Sequence, residues 1–173
     1  MASAAKLERS PDGKYRLPVK LAWAGNAPVE GELTLSRHSE YRAGPQTILE
    51  RLNERVRVLP VVHGNVAHLV NRELIDWVAA GNDVDPVLIG PSQFVVTHEE
   101  HVRVNMAYGG TFEGVLTLEM PEGFNRVSDF LNGDDDFFTL KAGSRTVLVN
   151  KRRIREMLIQ GSTPPPPSKR KAA

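Results

Sequence analysis

The strongest constraint on this chain is that it reads twice. Val29-Glu30-Gly31-Glu32-Leu33-Thr34-Leu35 returns as Phe112-Glu113-Gly114-Val115-Leu116-Thr117-Leu118, an offset of 83 residues that also carries Val19 to Val102, Leu21 to Val104 and Trp23 to Met106. Farther along the offset becomes 79, carrying Leu52-Asn53 to Leu131-Asn132, Leu59 to Phe138, Val70-Asn71 to Val149-Asn150 and Ile75 to Ile154. Two constant offsets separated by one short deletion around residues 36–44 indicate an internal duplication, with the length change in a surface connection that tolerates it. The chain of 173 residues then holds two units. Units of roughly sixty residues are marginal alone, which favours packing the two together.

Each copy reads mostly as strand. Leu17, Val19, Leu21 and Trp23 alternate with Lys20, Ala22 and Ala24, the two-residue period of a half-buried strand. Gly25-Asn26-Ala27-Pro28 supplies turn chemistry, and Val29, Leu33 and Leu35 continue as the second arm of a hairpin. Pro45 suits a first helical position, and Ile48, Leu49 and Leu52 share a helix face. In the second copy Val127, Phe130 and Leu131 repeat that spacing, Ser128-Asp129 resembles a helix start, and Asn132-Gly133 ends the helix. Two further strands follow in each copy, turning at Gly64-Asn65 and at Gly143-Ser144, and a last short strand follows Asn71 or Asn150. Pro60 is expected at a sheet edge or bulge because it cannot donate to a ladder. Residues 93–108 suit one long strand. The fold class is mainly β with short helices, a tandem duplication of a small curled-sheet or barrel-like β-β-α-β-β-β unit.

The domain organisation that follows is an N-terminal arm over 1–14, a first β-rich repeat over 15–80 and a linker over 81–91. A second β-rich repeat covers 92–160, and a disordered Pro-rich basic tail covers 161–173, whose four consecutive prolines and Lys169-Arg170-Lys171 cannot bury enough apolar surface to order. Val87-Leu88-Ile89 inside the linker suggests that it is pinned to one unit.

Charge and composition remove several functions. Lys and Arg number 22 against 21 Asp and Glu, so no global field attracts nucleic acid or membrane. The chain has no cysteine, which excludes a disulfide framework, thiolate metal sites and a cysteine nucleophile, and fits a reducing cytoplasm. The first residues lack a signal-peptide core and no apolar run approaches a membrane span, so a cytoplasmic location is expected.

Candidate chemistry is sparse. His98-Glu99-Glu100-His101 has its imidazoles three apart on a strand, whereas a helical zinc motif needs four. Asp134-Asp135-Asp136 lacks the alternating ligands of a calcium loop and reads as an exposed acidic turn. No nucleophile, base and orienting group share a defensible spacing, so no catalytic residue, metal or cofactor is assigned and the chain reads as a non-enzyme. The strongest local charge is Lys151-Arg152-Arg153 with Arg155, a basic turn that reads either as a charged edge discouraging sheet-to-sheet pairing or as a site for an anion or an acidic partner surface. Aromatic side chains are too few beside it for a stacking platform, so nucleic acid is not the favoured partner.

The strings Phe112-Glu113-Gly114, Arg126-Val127-Ser128-Asp129-Phe130-Leu131-Asn132, Phe137-Phe138 and Val149-Asn150-Lys151-Arg152-Arg153-Ile154 resemble an uncharacterised bacterial domain family with an "lsdfLN, fl.L, vNk..I" pattern. The first copy keeps only the end of it, in Ile48-Leu49-Glu50-Arg51-Leu52-Asn53. That resemblance implies a small β-rich fold and transfers no activity. Tyr15-Arg16-Leu17-Pro18-Val19 is similar to the leader of PilZ-like small β-barrels, but the paired arginines and Asp-x-Ser-x-x-Gly string that read cyclic dinucleotides are missing. The function expected is a noncatalytic protein-interaction or scaffold module of a bacterial cytoplasmic assembly, its partner another protein. The alternative is a small anionic-ligand or nucleic-acid binder using the turn at Lys151, Arg152 and Arg153 or a cleft between the two units.

Overall fold

A computed structural model of the chain describes residues 8–9, 13–90, 98–118 and 126–160. The tail over 161–173, most of the N-terminal arm and the beginning of the strand expected from Gln93 lie outside the described residues.

The protein is mainly β, with eleven strands and two short α-helices among the described residues. In chain order these are β1 (Glu8–Arg9), β2 (Tyr15–Trp23), β3 (Val29–Leu35), α1 (Ile48–Asn53), β4 (Val58–His63), β5 (Val66–Asn71) and β6 (Ile75–Ala80). They continue with β7 (His98–Met106), β8 (Thr111–Leu118), α2 (Val127–Leu131), β9 (Phe137–Ala142), β10 (Arg145–Asn150) and β11 (Ile154–Gln160). Ten of them form one antiparallel path, β11-β7-β8-β9-β10-β6-β2-β3-β4-β5, and β1 pairs alongside β2.

The ladder registers recur along this path at the two sequence offsets. Val19 faces Gly31 as Val102 faces Gly114, and Leu33 faces Val61 as Leu116 faces Leu140. Leu59 faces Val70 as Phe138 faces Val149, and Leu21 faces Val78 as Val104 faces Met157. Gly31 and Gly114 share a steric reason. A Cβ on Gly114 would stand 2.4 Å from the Lys141 carbonyl oxygen, and one on Gly31 would stand 2.8 Å from Val61 Cγ1, so the neighbouring strand can approach only a glycine.

Two apolar clusters result. The first gathers Leu17, Leu21, Leu33, Leu52, Leu59, Ile75 and Val78 from β2 to β6. The second gathers Val102, Val104, Met106, Leu116, Phe138, Leu140 and Val149. The division does not follow the chain. Phe137 and Leu148, from β9 and β10, are members of the first cluster, while Trp77 of β6 packs against the second with its ring edge-on to Phe112 at 5.5 Å. Alternation explains this: successive side chains of β9 and β10 point to opposite faces, so Phe138 and Val149 serve one core and Phe137 and Leu148 the other.

Several local expectations need correction. Pro45 does not start α1. Thr47 caps it, its hydroxyl accepting from the Glu50 N–H at 3.1 Å while the Glu50 carboxylate accepts from the Thr47 N–H at 2.7 Å, a capping box that satisfies two otherwise unpaired donors. The start of α2 is Arg126, with no side-chain cap, so Ser128-Asp129 lies within the helix. Phe130 and Leu131 are half-buried and Val127 is the buried residue of α2. Pro60 lies in a strand flanked on both sides, but the β3 ladder engages only Val61 and Val62, so its missing N–H falls beyond the ladder. In the 81–91 segment Val84, Leu88 and Ile89 are buried in the first cluster, while Val87 points outward. Asp136 is not part of an exposed acidic turn; it is a half-buried ion-pair partner.

Candidate interaction surfaces

The central seam of the sheet is the β10–β6 ladder, in which Val147, Leu148 and Val149 face Ala79, Val78 and Trp77. A ring of polar contacts closes it. Asn150 is fully buried; its side-chain oxygen accepts from the Arg152 N–H and caps the 3₁₀ turn Lys151–Arg153, while its amide donates across the seam to the Ile75 carbonyl at 2.8 Å. Asn53, at the end of α1, grips β9 with both ends of its amide, donating to the Phe137 carbonyl at 3.0 Å and accepting from the Phe137 N–H at 2.8 Å.

Two ion pairs cross the same seam. Arg72 is buried and donates to Asp136 Oδ2 at 2.8 Å and to the carbonyls of Leu52 and Val56, which uses the C-terminal carbonyl of a helix as well as a carboxylate. Arg152 donates to the other oxygen of Asp136 at 2.5 Å. Burial, the largest influence on the Asp136 carboxyl, raises its pKa, but the hydrogen bonds and charges of Arg72 and Arg152 together reverse this and hold it below its ordinary value. On the other side, Arg153 donates to Asp76 Oδ1 at 3.0 Å and stacks over the Tyr108 ring at 4.3 Å, while Asp76 Oδ2 accepts from the Gly25 N–H at 3.0 Å.

The basic turn therefore divides. Lys151 donates to the Phe130 carbonyl at 2.6 Å and lies 4.3 Å from that ring; burial draws its pKa down, opposed by Asp135, Asp136 and Asp134. Arg153 belongs to the seam. Arg152 has a side chain 64% exposed while holding Asp136, whose hydrogen bond raises the Arg152 pKa. Arg155 is exposed on β11. Of the four residues, only Arg152 and Arg155 present charge to solvent.

Where a cleft between α1 and β9 exists, its lining is mostly apolar, from Leu49, Phe130, Phe137 and Phe138, with Thr117, Thr139 and Asp135 as the polar groups and no cation among them. His98 pairs with Glu100 at 2.7 Å and His101 points to solvent. Among the described residues no three His, Asp or Glu side chains converge as metal ligands, and no helix is long and apolar enough to cross a membrane.

Among the described residues, exposed apolar side chains stand at both ends of the strand path, besides Tyr41, Val87 and Tyr108 in connecting segments. The outer face of the β4–β5 hairpin presents Val58, Pro60 and Leu69, and the open strand β11 presents Leu158 and Ile159. The contrast with the seam is sharp: Val58 is 42% exposed where Phe137 is 1%, at positions related by the 79-residue offset. The sequence offers a signal for this difference. Val147-Leu148-Val149 is continuously apolar, as befits a strand covered on both faces, whereas the matching His68-Leu69-Val70 is not.

No protein-family model matches the chain, and comparison with curated proteins and with solved structures finds no match.

Proposed function

We propose that this chain is a noncatalytic interaction module, built by tandem duplication of one small curled β-β-α-β-β-β unit over residues 15–80 and 92–160. The recurrence of ladder registers at offsets of 83 and 79 supports the duplication. Its working surfaces are the outer face of the β4–β5 hairpin and the open strand β11. The observation that carries this reading is the exposure of Leu69, Val66 and Val58 on one end of the sheet and of Leu158 and Ile159 on the other. Open strand edges with apolar side chains template pairing with another chain unless they are covered, and covering them is a function such a module performs. The convergent charged groups Asp76, Asp136, Arg72 and Arg153 are consumed by the seam, which supports a structural use for them over a chemical one.

The test is affinity capture from cell extract with the full chain as bait, comparing wild type with Leu69→Lys. Loss of the captured protein with an unchanged melting curve supports the edge as the contact. Unaltered capture moves the contact elsewhere. A second reading rests on Arg152 and Arg155, whose exposure suits an anionic ligand or a nucleic-acid phosphate; the variant Arg152→Glu with Arg155→Glu tests it, and capture lost there but kept in Leu69→Lys favours it.

A further inference from the structure

The order of strands along the sheet holds a second message. Written from one end, the path runs β11-β7-β8-β9-β10 and then β6-β2-β3-β4-β5. At the sequence offsets, β11 corresponds to β6, β7 to β2, β8 to β3, β9 to β4 and β10 to β5. The two halves are thus joined head to tail, the β10 type of edge meeting the β6 type. Among the described residues this path ends at β5 and β11, one edge of each type. We infer that a second copy of this chain occupies them, β5 of one chain pairing antiparallel with β11 of the next in the register of the internal seam. This deepens the interaction-module reading, on which it rests, by naming the partner.

Transposing the β10–β6 register by 79 residues gives the contacts. Val147, Leu148 and Val149 facing Ala79, Val78 and Trp77 become His68, Leu69 and Val70 facing Leu158, Met157 and Glu156. Leu148 inserts into the first core and is fully buried; Leu69 is 74% exposed, the state of the same knob without its hole. The hole is also present in an uncovered form. Leu52 is fully buried beneath the seam in the cluster that holds Phe137 and Leu148, whereas Leu131 at its matching position is only partly buried. Asn71 accepts from the Glu73 N–H as Asn150 accepts from the Arg152 N–H, so its amide is placed to donate to the Ile154 carbonyl of the neighbouring chain. Asn132 stands where Asn53 stands, placed for the Val58 backbone.

The seam between chains is weaker than the one within. Glu156 and Arg155 occupy the places of Trp77 and Asp76, and Lys151 and Arg57 occupy those of Arg72 and Asp136, so an ion pair becomes a like-charge contact. Screening relieves such repulsion, and association accordingly strengthens with ionic strength. Because the contact joins unlike surfaces, it builds a ring if the rotation closes and a filament if it does not.

The chain's lack of cysteine makes the test direct. Leu69→Cys and Met157→Cys are prepared as separate variants of the 173-residue chain, then oxidised alone and mixed. Facing residues of an antiparallel pair lie within disulfide reach. The expected result is a covalent dimer, twice 19.1 kDa, in the mixture and in neither variant alone. Equal cross-linking of either variant with itself, or none in the mixture, overturns the proposal. His68→Cys mixed with Leu158→Cys repeats the test one register position away, on side chains not needed for the core. If capture of a different protein through Leu69 persists while neither mixture cross-links, self-pairing fails and the interaction-module reading stands.

Discussion

Leu69 and Leu148 occupy matching places in two hairpins of the same register, yet one is 74% exposed and the other is sealed in a core. The difference lies in what covers each. Each is flanked by its own hairpin partner, but β6 lies on the far side of Leu148 and no described strand lies on the far side of Leu69. Leu148→Ala is expected to cost about 2–5 kcal/mol, the range for emptying a buried leucine site. Leu69→Ala is expected to stay within about 0.5 kcal/mol, as for a surface change. Denaturant melts of the two variants in dilute solution check the pair.

Asn53 provides a second contrast. Its amide satisfies both the N–H and the carbonyl of Phe137, so Asn53→Ala strands two backbone groups in a half-buried seam and is expected to cost about 1–3 kcal/mol. Asn132→Ala, at an exposed position, leaves the melt of dilute protein unchanged.

Asp136 ties the stability of the seam to pH. Its folded-state pKa lies below the ordinary 3.8, so it binds its proton less readily folded than unfolded. Its contribution is then fully present above that value and drains away as the pH falls through the range below it. Asp136→Ala leaves the buried Arg72 guanidinium without its carboxylate and is expected to cost about 3 kcal/mol at neutral pH. Asp136→Asn is expected to flatten the acid limb of a plot of stability against pH.

Gly114 tests the close approach of β8 and β9. A Cβ there meets Lys141 backbone at 2.4 and 2.8 Å, and backbone cannot swing aside. Gly114→Ala is expected to destabilise by about 1–3 kcal/mol, the range for overpacking. Gly143→Ala meets nothing within 4 Å, and its cost is that of a positive φ of 62° alone.

The strands, the hairpin turns and the two helices were legible because each depends on local pattern: alternation at Leu17 to Trp23, turn residues at Gly25, Gly64 and Gly143, and apolar spacing at Ile48 and Leu52. The start of α1 is set by the Thr47–Glu50 capping box and not by Pro45. What binds the halves was not. Arg72 and Asp136 are 64 residues apart, and Arg153 and Asp76 are 77 apart, so a cluster such as Lys151, Arg152 and Arg153 looks like a free basic patch until the fold brings its carboxylates to it. The apolar spacing of α2 marks Phe130 and Leu131 as a buried helix face, but both are only partly buried, whereas Leu52 of α1 lies beneath a neighbouring hairpin.

Sedimentation of the 173-residue chain from dilute to concentrated solution, in low and in moderate salt, tests most directly whether the open edges are this protein's working surface. Species heavier than the 19.1 kDa chain are expected, growing with concentration, strengthening with salt and disappearing in Leu69→Lys. A wild-type chain that sediments at 19.1 kDa under every condition, indistinguishable from Leu69→Lys, would contradict this expectation.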